Sequence, residues 1–152
     1  MKNYNVELPK YIGRVLSQLL HSNNINFEIS QSDNLLHFEI ICNEVEKDKI
    51  NEFIDMYNYI LNNSELSDKD LHYILDDYEF TDIYNIVYNH DYYIYDLSNM
   101  SAFGQEIYEL YESNQLSDSI SRYFDFDAYG KDYLLQQEYV FLENDRVIIL
   151  YF

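Results

Sequence analysis

The sequence predicts an α+β protein of two units, each with a small antiparallel sheet and packed helices. Three observations lead to this prediction. Apolar residues recur at helical spacing in several segments, alternate with polar residues in others, and turn-forming residues separate two pairs of alternating segments. The 152 residues, 47% apolar and 18% aromatic, are enough to bury the core of one or two small domains.

The first unit, residues 1–62, is predicted to have the order αββα. Pro9 suits the first position of a helix, and apolar residues recur every three or four positions over residues 11–20. Residues 25–30 and 35–42 alternate around the turn-forming sequence 31–34, which predicts a hairpin.

A second helix of this unit is predicted to end near residue 62. Asn43 followed by Glu46 matches a capping box, in which each residue's side chain bonds the other's backbone N–H. The polar sequence Asn62-Asn63-Ser64 then provides a joint between the two units.

The second unit, residues 63–152, is predicted from cap residues and one terminal hairpin. Four segments with helical periodicity are each preceded by a serine or threonine that is expected to cap the helix. These residues are Ser67, Thr81, Ser101 and Ser117. In the helix after Ser101, we expect Phe103, Ile107, Leu110 and Tyr111 to face the core. The other predicted elements are a strand at 92–95, a helix at 127–135 and a hairpin of 138–142 with 146–152.

The charge is unevenly distributed along the chain. There are 28 acidic and 9 basic residues, a net charge of −19, and the 52 residues between Lys69 and Arg122 contain 11 acids and no lysine or arginine. This charge opposes binding to nucleic acid or anionic lipid and suits a basic partner. Solubility in a salty or acidic habitat would explain it. Imitation of a polyanion would also explain it, since 19 charges match roughly 32 Å of duplex DNA at one charge per ~1.7 Å.

Composition and spacing argue against an enzyme and against a bound metal or cofactor. The single cysteine, Cys42, excludes a disulfide framework, and its acidic neighbours would raise the pKa of a thiol nucleophile. The four histidines lack metal-binding spacing, and three glycines are too few for a phosphate-binding loop. Asp125 and Asp127 resemble the start of a calcium loop, but Gln136 occupies the position of its final glutamate.

The expected cellular location follows from the absence of membrane and secretion signals in the sequence. The apolar runs are only a few residues long, far short of the ~20 that a membrane helix needs. The first residues also lack the apolar stretch of a signal peptide. We therefore expect a cytoplasmic protein with no membrane contact.

The acidic residues of the second unit are the candidate partner-binding groups. Glu106, Glu109 and Glu112 lie three residues apart on a predicted helix, where side chains at this spacing are ~5–6 Å apart. They form either a line of negative charge or the solvent-exposed side of an amphipathic helix. The full set is Asp76, Asp77, Glu79, Asp82, Asp91, Asp96, Glu106, Glu109, Glu112, Asp118, Asp125, Asp127 and Asp132.

Residues 123–132 have the sequence Tyr123-Phe124-Asp125-Phe126-Asp127-Ala128-Tyr129-Gly130-Lys131-Asp132. This segment resembles the motif near the C-terminus of ArdA-type antirestriction proteins. The terminal hairpin, and the strand and acidic helix before the motif, are similar to that family too. The resemblance covers about residues 63–152. It implies an elongated, dimeric mimic of B-form DNA that occupies the DNA groove of type I restriction–modification enzymes in a bacterial host. It also implies a structural role for six of the non-acidic motif residues, which are Tyr123, Phe124, Ala128, Tyr129, Gly130 and Lys131.

Two functions remain open at this point. The first is a non-enzymatic DNA mimic whose carboxylates bind the DNA-binding groove of a host restriction–modification or other nuclease complex, with a homodimer as a possible form. The alternative is an anti-CRISPR or other anti-defence inhibitor that acts through an ordinary protein–protein interface of residues 1–62. Residues 1–69, which include that segment, have a net charge of only −5.

Overall fold

The computed structural model describes residues 1–112 and 117–152, which form two compact units, Met1–Asn89 and His90–Phe152. Each unit has one three-stranded antiparallel sheet and several helices, which confirms the predicted α+β class. The division between the units lies after Asn89, whereas the sequence was expected to divide at residue 62.

The first unit has strand order β1-β3-β2 and follows β1 with a helix, a hairpin and three further helices. The predicted hairpin and the capping box of Asn43 and Glu46 are confirmed. Its elements are β1 (Lys2–Pro9), α1 (Lys10–Ser22), β2 (Asn26–Ser32), β3 (Leu35–Cys42), α2 (Glu44–Asn63), α3 (Asp68–Leu75) and α4 (Phe80–Asn89).

Strand β1 corrects the predicted αββα order. Val6 and Leu8 are buried and alternate with exposed residues, as expected for a strand with one face on a core. The strand pairs with β3, from Lys2 opposite Cys42 to Pro9 opposite Leu35, so its partner is about 30 residues away in sequence. Pro9 ends the strand and occupies the N-cap position of α1, not its first helical position.

The core of the first unit lies on one face of its sheet. Helix α1 contacts all three strands, and Ile12, Leu16 and Leu20 on α1 are fully buried. On the central strand, Phe38 and Ile40 are also buried, whereas the intervening residues point away from the core. The alternation that predicted the hairpin therefore also sets which face of the sheet the helices cover.

Helices α3 and α4 belong to the first unit because each packs on one of its longer helices. Helix α3 contacts α1, and α4 contacts α2. The backbone N–H groups of Tyr11 and Ile12 also donate to the Asp68 carboxylate at 3.3 and 3.2 Å. These contacts join residues more than 50 positions apart, which explains why the polar joint at 62–64 does not separate the units.

The second unit has strand order β4-β6-β5, with the last strand in the centre. The predicted terminal hairpin is confirmed. The elements are β4 (Tyr92–Asp96), α5 (Met100–Tyr111), α6 (Asp118–Ser121), α7 (Phe126–Leu135), β5 (Tyr139–Leu142) and β6 (Arg146–Leu150).

Helices α5 and α7 pack closely in this unit. Phe103 and Ile107 of α5 and Leu134 of α7 share a core with Val147 and Ile149 of β6. The two helices approach at a pair of glycines. A Cβ on Gly104 would lie 1.8 Å from the carbonyl oxygen of Phe126, and one on Gly130 would lie 3.0 Å from the Gly104 Cα. The motif glycine therefore permits close contact between the helices.

Two predicted caps and two predicted core positions are wrong. Helix α4 begins at Phe80, so Thr81 lies inside it, and Asn99 rather than Ser101 caps α5 by accepting the Ala102 N–H at 3.1 Å. Leu110 and Tyr111 are about 60% exposed. They lie in the last turn of α5, after Ile107, which is its last buried residue. The predicted cap at Ser67 is confirmed, since its side chain accepts the Asp70 N–H.

Candidate functional site

The clearest line of candidate carboxylates lies on α5. Glu106, Glu109 and Glu112, here called the α5 row, are all exposed. Glu109 accepts a hydrogen bond from the Gln105 amide at 3.3 Å, and Glu112 accepts one from the Tyr129 hydroxyl at 3.4 Å. Because both donors are uncharged groups, these hydrogen bonds do not neutralise the negative charges of the two carboxylates. Glu106 and Glu109 are about 4.5 Å apart along the axis of α5 at ~1.5 Å per residue. Glu112 is the C-cap residue that follows the helix, and its backbone is extended.

The other predicted acids are distributed over both units. Four of them belong to the first unit, where they lie in the connection between α3 and α4 and in the first turn of α4. These exposed residues are Asp76, Asp77, Glu79 and Asp82. The remaining candidates belong to the second unit, and all of them except the half-buried Asp127 are exposed.

Three of these acids also stabilise local structure. Asp125 is the N-cap of α7 and accepts the Ala128 N–H at 3.0 Å. Asp96 accepts the Ser98 N–H at 2.8 Å, and this hydrogen bond lowers the pKa of the carboxyl. Asp127 forms an ion pair with Lys131 at 2.7 Å. Their charges are exposed, but their positions are explained by caps and turns without any partner.

The motif at 123–132 has a clear structural role at some of its positions only. Gly130 is buried against α5, and Tyr129 packs edge-on against Tyr108, with the ring centroids 5.5 Å apart. Phe124 lies 5.1 Å from the same Tyr108 ring. Ala128 and Lys131 are exposed, and Tyr123 is 89% exposed, so Tyr123 contributes little to the core.

A second line of carboxylates lies on α2 and was not among the predicted candidates. Its members, here called the α2 row, are the exposed residues Glu44, Asp48, Glu52 and Asp55. At ~100° per residue, they fall within about 80° of the helix circumference. Lys47 and Lys49 are interleaved with them in sequence and hide the pattern. On the helix these lysines project elsewhere, and the Lys47 ammonium lies 5.0 Å from the centroid of the Tyr4 ring.

The structural division also changes how the charge is distributed. Residues 1–89 contain 16 acidic and 6 basic residues, a net charge of −10, and residues 90–152 contain 12 and 3, a net charge of −9. Both units are therefore strongly acidic. The stretch of residues 70–121, which contains no lysine or arginine, is shared between the two units.

Other chemistry is weakly represented in the part of the chain that the structure describes. Residues 1–112 and 117–152 contain no group of three or more histidine, cysteine or acidic side chains placed to hold a metal ion. Cys42 is buried, and burial, followed by the charge of Glu46, raises the pKa of its thiol. Within the same residues, no helix has the length and apolar character needed to cross a bilayer.

Comparison of the chain with protein-family models, with curated proteins and with solved structures gives no match. The likeness to the ArdA-type family therefore depends on the sequence segments quoted above.

Proposed function

We propose that this protein is a non-enzymatic inhibitor that imitates DNA and blocks a host DNA-binding defence complex. The target implied by the resemblance is a type I restriction–modification enzyme. In this proposal the carboxylates bind lysine and arginine side chains that normally hold DNA phosphates. The protein itself does not bind nucleic acid, because its net charge of −19 repels phosphates.

The observation that supports the proposal is the presence of exposed carboxylate lines on helices of both units. In the α5 row, Glu106 and Glu109 are about 4.5 Å apart along the helix axis and Glu112 follows at the C-cap, and the α2 row places four charges along about 16 Å. A single DNA strand carries one phosphate per ~3.4 Å of axis. The charge density along each row is therefore within about a factor of two of a DNA strand.

A basic partner would relieve the repulsion among the carboxylates of such rows. Like charges three or four residues apart destabilise a helix by a few tenths of a kcal/mol per pair. A groove lined with lysine and arginine would relieve this repulsion on binding. Long-range attraction would also speed association at low salt, so we expect the association rate to fall as the ionic strength rises.

Competition with DNA tests the mechanism. A type I restriction–modification enzyme bound to a fluorescent duplex is titrated with the protein, and the released duplex is measured by anisotropy. We expect stoichiometric release at low salt. Simultaneous binding of the protein and the duplex to one enzyme would exclude occlusion of the groove.

Charge neutralisation tests the role of the α5 row. We expect Glu106→Gln, Glu109→Gln and Glu112→Gln to weaken competition in steps, with the triple variant losing on the order of tenfold or more. The matched variants with aspartate at the same positions retain the charge and should lose much less. Complete loss at one single substitution would instead indicate a catalytic or highly specific contact.

A further inference from the structure

Two neighbouring hollows lie along α2 in the first unit, and both are also lined by residues of α4; together they are here called the groove. The first part is a hollow of about 620 Å³, and the second has a volume of about 460 Å³. Glu52, Met56 and Thr81 line both hollows, so the two parts meet at these side chains. All of the groove belongs to one compact unit.

The first part of the groove is acidic. Asp48, Glu52 and Asp55 of the α2 row line it. Among the residues that the structure describes, no lysine or arginine forms an ion pair with any of the three. Because the spacings are i, i+4 and i, i+3, the three carboxylates repel one another in the free protein. A cation in this part of the groove would therefore remove an unfavourable interaction as well as form a favourable one.

Tyrosine rings line the same part of the groove. Tyr59 of α2 and Tyr84 of α4 pack edge-on with their centroids 5.5 Å apart. Tyr88 lies 5.7 Å from Tyr59 and is 58% exposed. Aromatic faces next to carboxylates suit a guanidinium group, which stacks on a ring and donates hydrogen bonds to an acid at the same time.

The second part of the groove is mainly apolar. Its apolar surface comes from Val15 and Leu19 of α1, Phe53 of α2 and Phe80 of α4. The charged residues Lys49, Glu52 and Glu79 also line it. Such a surface suits an apolar side chain of a partner. An occupant of the whole groove must therefore present cations along one stretch and an apolar residue beside it.

We propose that this groove binds a basic amphipathic helix of a partner protein. The α2 segment from Asp48 to Tyr59 is about 16 Å long, which matches about eleven residues of a helix lying alongside it. Arginines of that helix would contact Asp48, Glu52, Asp55 and the tyrosine rings, and an apolar residue would enter the second hollow. This site goes beyond DNA mimicry because it requires helical spacing and an apolar anchor. It overlaps the alternative interface expected in residues 1–62 only through α1 and α2, because α4 lies outside that segment.

Synthetic peptides test the proposal on the full-length protein. The probe is a fluorescein-labelled, 14-residue helix-forming peptide with three arginines and two leucines on one face, and its control is a scrambled peptide of the same composition. At 0.15 M salt we expect the amphipathic peptide to bind at least tenfold more tightly than the scrambled one. Equal binding of the two peptides would show that only net charge matters and would overturn the proposal.

Variants of the protein locate the binding. The triple variant Asp48→Asn, Glu52→Gln, Asp55→Asn should bind the peptide at least tenfold more weakly, and these exposed substitutions should leave the fold intact by circular dichroism. The matched control is Glu28→Gln, Asp33→Asn, Glu39→Gln, which removes the same charge from exposed positions of the first unit that do not line the groove and should change binding by less than twofold. Equal weakening by both triple variants would overturn the proposal.

Two further measurements separate other occupants. Thr81→Trp places a large ring where the two hollows meet and should weaken peptide binding by at least fivefold. Spermine serves as a small polycation without an apolar anchor. If spermine competes as strongly as the peptide at equal charge, the groove binds polyamines and the helix proposal is wrong. Release of duplex DNA from a restriction enzyme is a separate readout, so failure of either proposal leaves the other measurable.

Discussion

Asp68 connects three helices of the first unit through one carboxylate. It accepts the backbone N–H groups of Tyr11 and Ile12 at the start of α1, and it accepts the Tyr57 hydroxyl of α2 at 3.4 Å. Pro9, at the N-cap of α1, provides no side-chain cap, and the first turn of that helix contains no acid. Asp68 thus supplies from a distant part of the sequence the acceptor and negative charge that a helix N-terminus favours.

The titration of Asp68 predicts how stability depends on pH. Burial raises the pKa of this carboxyl, although its hydrogen bonds oppose the shift. A raised folded-state pKa adds stability that is present below the unfolded value of about 3.9 and is lost as the pH rises through the folded value. We therefore expect the wild type to gain stability relative to Asp68→Asn as the pH falls from 7.5 to about 4, close to the unfolded value. Urea unfolding of both proteins at the two pH values measures this, and a constant or reversed difference would contradict it.

Gly104 provides a second prediction at the scale of one residue. Alanine in a helix is normally more stable than glycine by up to ~1 kcal/mol. At Gly104, however, the new Cβ would lie 1.8 Å from the backbone oxygen of Phe126, which cannot rotate away. We expect Gly104→Ala to destabilise the protein by about 1–3 kcal/mol or more. The control is Gly13→Ala, whose three nearest contacts are side-chain atoms of Leu36 at 2.8–3.3 Å and include no backbone atom. Thermal unfolding should show a much larger loss for Gly104→Ala, and equal losses would refute the close helix contact.

At the scale of an element, the start of α5 distinguishes two caps. The Asn99 side chain accepts the Ala102 N–H at 3.1 Å, whereas Ser101 lies within the helix. Replacing a side-chain cap by alanine costs about 1 kcal/mol. We therefore expect Asn99→Ala to lower the free energy of unfolding by that amount and Ser101→Ala to leave it within about 0.5 kcal/mol. Chemical denaturation of the two variants tests this, and the reverse order would restore the cap predicted from the sequence.

The elements that the sequence predicted correctly are those specified by nearby residues. The hairpin of β2 and β3 follows from alternation and a short turn, and the start of α2 follows from Asn43 and Glu46, three residues apart. The errors concern contacts between distant residues. Strand β1 pairs with β3 across about 30 positions, and α3 joins the first unit through Asp68. Periodicity and capping patterns contain no information about such partners.

At the scale of the whole molecule, sequence patterns also revealed only part of the candidate site, because they do not show which side chains lie on the same face of a helix. The α5 row was predictable because no lysine or arginine interrupts it in sequence. The α2 row was missed because Lys47 and Lys49 lie between its members in sequence, although they project from other sides of the helix. Counting charge by angular position on each predicted helix would have revealed it. The two units then have nearly equal net charges, −10 and −9, so the acidic character is a property of the entire molecule.

This charge predicts an unusual response to salt. Repulsion among the carboxylates destabilises the folded protein, and salt screens it, since the Debye length falls from ~30 Å at 0.01 M to ~10 Å at 0.1 M. We therefore expect the melting temperature to rise by several degrees from 0.01 to 0.3 M sodium chloride. The control is the variant with glutamine at all three positions of the α5 row, which has less repulsion to screen and should show a smaller rise. Differential scanning calorimetry measures both, and a flat or falling melting temperature in the wild type would mean that the carboxylates do not repel one another strongly enough to affect folding.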